Sequence, residues 1–232
     1  MTESPDAALA DAVLADGALA DNEAGELADH WAPRRVVTSE LIHDGAIWDV
    51  VGETIDLGAA GIVKREMLHH PGAVIVLALD DDDRLLMIQQ YRHPTRMELW
   101  ELPAGLLDIP GEDPLVGARR ELAEEADLKA DRWDLLVDWF MSPGGSDEAV
   151  RLFLARDVHP VPDHELHERI HEELGMPTRW VPLMQARDAV LAGKIHNPGA
   201  VVGILAACVA RDLGWSTLRP ADSPWPEHHA YR

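Results

Sequence analysis

Apolar residues recur at three- and four-residue spacing between positions 114 and 126, and this periodicity predicts a helix. The apolar stripe of this helix consists of Leu115, Ala118, Leu122 and Ala126. Its start is also marked, because Asp113 can cap the free N–H groups and Pro114 occupies the first helical position, where no donor is missed. The pattern therefore predicts a helix that begins at Pro114 and buries one face.

Three runs of β-branched and apolar residues precede this helix, between residues 34 and 70. The runs are RRVVTSELIHD, AIWDVVGETIDL and IVKREMLHH, separated by Asp44–Gly45 and Gly58–Gly61. They predict a small antiparallel sheet. Because three short strands are only marginally stable alone, we expect this sheet to pack on the main domain or on a second copy of the chain.

A longer series of apolar segments extends over residues 71–215, which we assign to one main domain. AVIVLAL and RLLMIQQ predict a hairpin-like pair of buried strands around the turn Asp80–Asp83. WDLLVDWF and AVRLFLA predict two more strands, and WVPLMQARDAVLAG predicts a short strand and a helix. PGAVVGILAACVARDLG predicts a buried helix that begins at Pro198.

The two ends of the chain differ from this domain in composition. Residues 1–30 are rich in Ala and Asp and contain no lysine or arginine, so we predict a disordered acidic extension over residues 1–33. A partner-binding helix is the alternative for this segment. Residues 216–232 contain three prolines and are predicted to be loop or disorder.

The charge balance narrows the classes of partner. The formal net charge of −22 argues against binding of nucleic acid or anionic membrane through a basic surface. A phosphate-bearing substrate would also be repelled unless metal ions and local arginines compensate. Cys208 is the only cysteine, so no disulfide can form within the chain, which fits a reducing cytoplasm. No apolar run approaches the length of about 18 residues that a membrane span needs, and we predict a cytoplasmic protein.

The predicted helix carries three carboxylates on a face other than its apolar stripe. Glu121, Glu124 and Glu125 are spaced at i, i+3 and i+4, where like charges repel each other. A hard divalent cation removes this objection, because Mg²⁺ prefers carboxylate oxygens as ligands. A solvated acidic face is the alternative, because the whole chain is acidic.

Eight residues in and around this helix resemble the Nudix box, G-x5-E-x7-R-E-U-x-E-E-x-G-U, in which U is aliphatic. The matching residues are Gly105, Glu112, Arg120, Glu121, Leu122, Glu124, Glu125 and Leu128. Six residues rather than five separate Gly105 from Glu112, and Asp127 stands where the box has its second glycine. Asp tolerates positive φ if the helix closes that way. Neither departure removes a carboxylate, so the resemblance implies an intact metal site.

Three segments outside the box resemble signatures of the ADP-ribose pyrophosphatase branch of the Nudix hydrolase superfamily. Gln90–Arg92, Glu101–Ala104 and Ser142–Glu148 are similar to its Q-Y-R, E-L-P-A-G and S-P-G-x-S-x-E motifs. The resemblance implies an α/β fold, an α/β/α sandwich around a mixed sheet with a small N-terminal antiparallel sheet. It also implies hydrolysis of a nucleoside diphosphate sugar, ADP-ribose to AMP and ribose 5-phosphate, with Mg²⁺ or Mn²⁺.

The same resemblance suggests which residues hold the metal and move the proton. Glu121, Glu124 and Glu125 would be ligands, together with the Ala104 carbonyl, while Arg120 would orient the glutamates and Glu112 would support them. In this branch a later loop supplies a further glutamate, as metal ligand or as base. Glu173 and Glu172 are the two candidates for this role, in that order.

The substrate residues and the dimer are likewise implied by the resemblance. Trp48 falls where the family stacks the adenine, although packing within the sheet is the alternative. Arg65 and Arg92 fall where basic residues face the phosphates or ribose, with surface ion pairs as the alternative. The signature residues Glu101, Ser142 and Glu148 complete the predicted substrate contacts. The related enzymes exchange their N-terminal sheet within a homodimer, and we expect the same here.

Other functions remain as alternatives. The substrate could be another nucleotide sugar or a dinucleotide, or the chain could be a nucleotide sensor without catalysis. His167 to His171 also spell H-E-x-x-H, a zinc peptidase motif. The segment lacks an apolar stripe and a clear third ligand, so we interpret this match as fortuitous.

Overall fold

A computed structural model of the protein describes residues 27–167 and 175–231. Residues 1–33 and 34–232 form two separate units. Residues 27–33 contain no regular element, and most of the predicted acidic extension lies outside the described residues. Glu172 and Glu173 also lie outside them, as does most of the H-E-x-x-H match. The architecture below is that of the second unit.

The predicted N-terminal sheet is present as three antiparallel strands, β1 (Arg35–His43), β2 (Asp49–Asp56) and β3 (Ile62–His69). Strand β2 lies in the centre and pairs with both neighbours. Every residue of β1 is exposed. The sheet and its loops expose large apolar side chains, namely Val36, Val37, Leu41, Ile42, Ile47, Trp48 and Ile62.

The main domain contains eight further strands and three helices within the described residues. In chain order they are β4 (Ala73–Ala78), β5 (Arg84–Arg92), β6 (Met97–Glu101), β7 (Ala104–Leu106), α1 (Pro114–Ala126), β8 (Leu128–Phe140), β9 (Ala149–Pro160), β10 (Thr178–Pro182), α2 (Leu183–Leu191), α3 (Pro198–Asp212) and β11 (Arg219–Pro220). Short 3-10 turns occupy Gly58–Ala60 and Asp163–Glu165. No helix in the described ranges is long and apolar enough to cross a membrane.

A mixed sheet forms the middle layer, with strand order β11-β8-β9-β4-β7. Strands β4 and β9 are parallel, and the other pairs are antiparallel. Because successive side chains of a strand point to opposite faces, Val74 and Val76 pack with α1, whereas Ile75 and Leu77 pack with α2 and α3. The predicted α/β/α sandwich is therefore confirmed.

Strands β4 and β5 differ from the hairpin-like pair that the sequence predicts. The chain does reverse at the predicted aspartate turn, where the Asp80 N–H donates to the Arg84 carbonyl. Only the single bridge between Leu79 and Leu85 joins the two strands beyond it. Both edges of β4 are taken by β7 and β9, so β5 pairs with β10 and β6 in a second, three-stranded sheet.

The segment after Ser216, predicted to be loop or disorder, packs on the domain over its described part. Strand β11 pairs with β8, and Trp225 and His228 are buried. Buried Arg151 explains this order: its guanidinium lies 4.5 Å from the Trp225 ring centre and donates hydrogen bonds to the carbonyls of Ser223 and Pro224. The proline content of this segment predicted its irregular backbone, but it did not predict the contacts with Arg151, which lies far away in the sequence.

Burial of His228 should make stability depend on pH. The side chain is 1% exposed, and burial lowers its pKa to about 4, with His229 and Arg151 acting in the same direction and Asp147 and the Pro71 carbonyl against it. The imidazole of the unfolded chain titrates near 6.5, so it takes up a proton before the buried one does as the pH falls. The fold therefore keeps its full stability above pH 6.5 and loses part of it as pH falls towards 4. We expect chemical denaturation to show a loss of about 3 kcal/mol between pH 7 and pH 4 from this group. His228→Gln should remove this part of the pH dependence, and identical pH profiles for the two proteins would contradict the assignment.

Candidate active site

An open cavity of about 300 Å³ lies beside β4, β7 and the start of α3. Its lining includes Ile75, Arg92, Glu101, Ala104, Gly105, Met141, Glu148, Asn197 and Gly199. Arg92, Glu101, Ala104 and Glu148 are residues that the sequence predicted for the site. The tertiary structure therefore brings together residues from segments that are far apart in the chain.

Helix α1 borders this region and has the predicted ends. The Asp113 carboxylate accepts a hydrogen bond of 2.8 Å from the Leu115 N–H, and Pro114 is the first helical residue. Asp127 closes the helix with φ 53° and ψ 34°, a left-handed conformation that glycine adopts readily and that aspartate tolerates. The replacement of the box glycine by aspartate therefore leaves the helix end intact.

Arg120 joins the glutamates of the box into one network. Its Nε and Nη2 atoms donate to the two carboxylate oxygens of Glu112, each at 3.2 Å. Its Nη1 atom donates to Glu121 at 2.5 Å and to Glu124 at 3.1 Å. The hydrogen bonds with Glu112 raise the pKa of Arg120, so the guanidinium stays charged. Arg120 thus contacts Glu121 and Glu124, two of the carboxylates that the resemblance implies it orients.

The position of the Glu121 side chain requires a residue without a side chain at position 105. A Cβ atom on Gly105 would lie 2.0 Å from the Glu121 carboxyl group, closer than any real contact. Glu121 is only 8% exposed. Burial raises its pKa, while Arg120 acts in the opposite direction. A buried carboxylate whose charge is costly is a group that a cation would stabilise.

Glu125 is fixed from the neighbouring strand. It is 6% exposed, and its Oε2 atom accepts a hydrogen bond of 2.8 Å from the Ala104 N–H. The sequence predicted a role for the Ala104 carbonyl, and the structure shows in addition that the backbone N–H of this residue orients a glutamate of the box. Ala104 and Glu125 are therefore neighbours, as a shared metal site requires.

The donor set fits a hard divalent ion by its chemistry. Glu121, Glu124 and Glu125 offer carboxylate oxygens from one helix, and two of the three are buried. Within residues 27–167 and 175–231, no three acidic, histidine or cysteine side chains are arranged to hold a metal ion. In the structure, Glu121 and Glu124 accept hydrogen bonds from Arg120, and Glu125 accepts one from the Ala104 N–H.

Arg92 and Glu101 form a bidentate ion pair in the cavity. The Arg92 Nε and Nη2 atoms lie 2.9 and 2.8 Å from the two Glu101 oxygens, and Glu101 is 2% exposed. A charge this deeply buried needs such a partner. The arginine side chain itself is 43% exposed, so its guanidinium is held at the cavity with access to solvent.

The Ser142–Glu148 loop is tied to the end of β3. The Leu68 N–H donates to the Gly145 carbonyl, and the Asp147 carboxylate accepts from the His70 N–H and contacts the His69 ring. Glu148, one of the predicted substrate contacts, lines the cavity. Ser142 is exposed, does not line the cavity, and accepts two backbone hydrogen bonds within the turn.

Trp48 and Arg65 do not reach the cavity within one chain. Trp48 precedes β2 and is 41% exposed, and exposed Arg65 donates to the Lys64 carbonyl. Neither lines the cavity beside β4, β7 and the start of α3. The structure of one chain therefore does not place these two predicted substrate residues at this cavity.

Several residues at the cavity were missed by the sequence analysis. Met141, Asn197 and Gly199 line it, and the Asn197 side chain caps α3 through a hydrogen bond of 2.9 Å from the Ala200 N–H. The pair Asn197–Pro198 is a recognisable helix start. That signal identifies the helix, but only the fold shows that this helix begins at the cavity.

An α/β/α sandwich with one arginine and four glutamates gathered around its first helix defines the Nudix class of proteins. The NUDIX domain model matches residues 68–199. The chain is 43% identical over 189 residues to an ADP-ribose pyrophosphatase of Mycobacterium tuberculosis, covering 82% of this chain and 89% of that protein. It is 37% identical over 124 residues to an ADP-ribose pyrophosphatase of Bacillus subtilis, covering 53% and 66% of the two chains.

A solved structure agrees on the fold. It is described as an ADP compounds hydrolase and has a TM-score of 0.64 at 20% identity, covering 81% of this chain and 99% of that one. The chain belongs to the Nudix family of hydrolases.

Proposed function

We propose that this Nudix hydrolase cleaves the diphosphate of ADP-ribose to give AMP and ribose 5-phosphate, with Mg²⁺ or Mn²⁺. The observation that carries the proposal is the Glu112–Arg120–Glu121–Glu124 network beside a cavity that contains the Arg92–Glu101 pair. The similarity to ADP-ribose pyrophosphatases supports the choice of substrate. We also propose the cytoplasm as the location, on the composition of the chain.

Each residue of the network has a proposed task in this reaction. Glu121, Glu124 and Glu125 would hold the metal, and Arg120, held by Glu112, would keep two of these carboxylates oriented. When bound, divalent ions neutralise the diphosphate and make a bound water more acidic. Arg92 would pair with phosphate oxygens from the cavity wall.

The proposed reaction is the hydrolysis of one phosphorus–oxygen bond of the diphosphate. Water adds to one phosphorus atom, the bond from that phosphorus to the bridging oxygen breaks, and two phosphomonoesters leave. Glu173 or Glu172, in the segment before β10, would accept the proton of the water.

A panel of nucleoside diphosphate sugars tests this function. Wild-type protein is incubated with ADP-ribose, other nucleotide sugars and dinucleotides in Mg²⁺ or Mn²⁺, and the released phosphomonoesters are measured. We expect the highest kcat/KM with ADP-ribose, and no hydrolysis when EDTA removes the divalent ion. A higher kcat/KM with another nucleotide sugar would contradict ADP-ribose as the substrate. Absence of hydrolysis of every compound would favour a nucleotide sensor without catalysis.

We further propose a homodimer in which the N-terminal sheet completes the adenine site. The apolar side chains exposed on this sheet need a cover, and Trp48 is among them. Trp48→Ala should raise the KM for ADP-ribose at least tenfold, equivalent to about 1.4 kcal/mol, with a smaller effect on kcat, because base stacking is largely uniform binding. Steady-state kinetics and sedimentation measure both parts.

Deletion of residues 1–30 provides the control, since that segment precedes the sheet and should leave KM unchanged. An active monomer at the assay concentration, or an unchanged KM in the Trp48 variant, would contradict the dimer site.

A further inference from the structure

The described C-terminal segment contacts the Nudix box directly. The Tyr231 hydroxyl donates a hydrogen bond of 2.8 Å to the backbone carbonyl of Glu112, across 119 positions of the chain. Glu112 is the residue that holds two nitrogen atoms of Arg120. Arg120 alone therefore stands between Glu112, which Tyr231 contacts, and the carboxylates of Glu121 and Glu124 at the proposed metal site.

The position of Tyr231 is built by several buried groups. Its ring stacks on Trp225 with centres 5.8 Å apart and planes 6° apart. Trp225 in turn covers the Arg151 guanidinium, which is itself bound bidentately by Asp138. His228, three residues before Tyr231, donates to the Pro71 carbonyl at 2.9 Å. The tyrosine is thus held in place independently of the loop that it contacts.

The loop before Glu112 has few other supports. Residues 108–111 are exposed, and they belong to the stretch between Gly105 and Glu112 that is one residue longer than in the Nudix pattern. Their outer side borders an open space of about 380 Å³ lined by Ile109, Gly111 and Tyr231 among others, so no packed core presses the loop into place there. Burial raises the pKa of Tyr231, which keeps its hydroxyl protonated as a donor.

We propose that Tyr231 is a positioning residue for the metal site, acting through Glu112 and Arg120. The hydrogen bond holds the loop so that the Glu112 carboxylate keeps two donors of Arg120 occupied. Without it, Glu112 releases Arg120, and the whole guanidinium becomes available to pair with Glu121 and Glu124. The arginine then competes with the cation for these carboxylates. This inference rests on the metal site proposed above.

Binding of Mn²⁺ to the full-length protein without substrate tests the inference. Free Mn²⁺ is measured by electron paramagnetic resonance for wild type, Tyr231→Phe and Ser223→Ala. The control variant also loses one hydroxyl of the same segment, the one that donates to the Pro220 carbonyl. We expect the dissociation constant to rise about fivefold in Tyr231→Phe, as for loss of one hydrogen bond, and to stay within a factor of 1.5 in Ser223→Ala. The variant's activity should recover at saturating Mn²⁺.

The outcomes separate the two proposals. Equal, tight Mn²⁺ binding by wild type and Tyr231→Phe would overturn the role of Tyr231 and leave the proposed metal site standing. Equal weakening in both variants would show a general effect of the C-terminal segment and would also overturn it. A wild-type protein that binds no Mn²⁺ would overturn the metal site, and this inference with it. Thermal denaturation of each variant shows whether the protein remains folded.

Discussion

Glu125→Gln should reduce kcat by about a thousandfold, equivalent to about 4 kcal/mol of transition-state stabilisation. The change removes the charge of a proposed metal ligand but keeps its shape. The amide oxygen can still accept from the Ala104 N–H, so the contact between α1 and β7 should persist. The fold should therefore be retained while the affinity for the divalent ion falls. Steady-state hydrolysis of ADP-ribose, with circular dichroism of the folded state, measures both.

The matched control for this variant is Glu98→Gln, which makes the same chemical change at an exposed position of β6. It should retain full activity. Activity of Glu125→Gln within threefold of wild type would remove Glu125 from the site, whereas loss of secondary structure would show that the residue serves the fold instead.

Gly105→Ala should reduce kcat/KM at least a hundredfold and destabilise the fold by about 1–3 kcal/mol. The new Cβ would stand 2.0 Å from the carboxyl group of Glu121, so this buried side chain must move. Its displacement breaks the contact with Arg120 and moves an oxygen ligand out of the proposed site. Thermal or chemical denaturation measures the stability, and the ADP-ribose assay measures the activity.

The double variant Gly105→Ala with Glu121→Ala identifies the cause. The new Cβ would clash with the Cγ atom as well as the carboxyl group of Glu121, so alanine, which removes all of these atoms, should restore part of the lost stability while activity stays low. A simple sum of the two single effects would mean that the residues do not interact, and would contradict the clash.

The residues of helix α1 show how much of the site could be predicted from sequence. The apolar stripe, the Asp113 cap, the Pro114 start and the left-handed end at Asp127 are local features, because helix spacing and turn conformation depend on residues within a few positions. The same locality placed Glu121, Glu124 and Glu125 near one another. Resemblance to the Nudix box then supplied the chemistry, since those glutamates alone could equally have been a solvated face.

Contacts between distant segments were decided only by the tertiary structure. The separation of β4 and β5 into two sheets and the approach of Gly105 to Glu121 both depend on strand order and on the packing of α1 against β7. The Tyr231 contact with Glu112 depends on a buried arginine 80 positions earlier, which the proline-rich composition of the tail gave no sign of. Sequence spacing reports neighbours along the chain, whereas these contacts arise where burial of apolar surface and pairing of buried charges bring remote segments together.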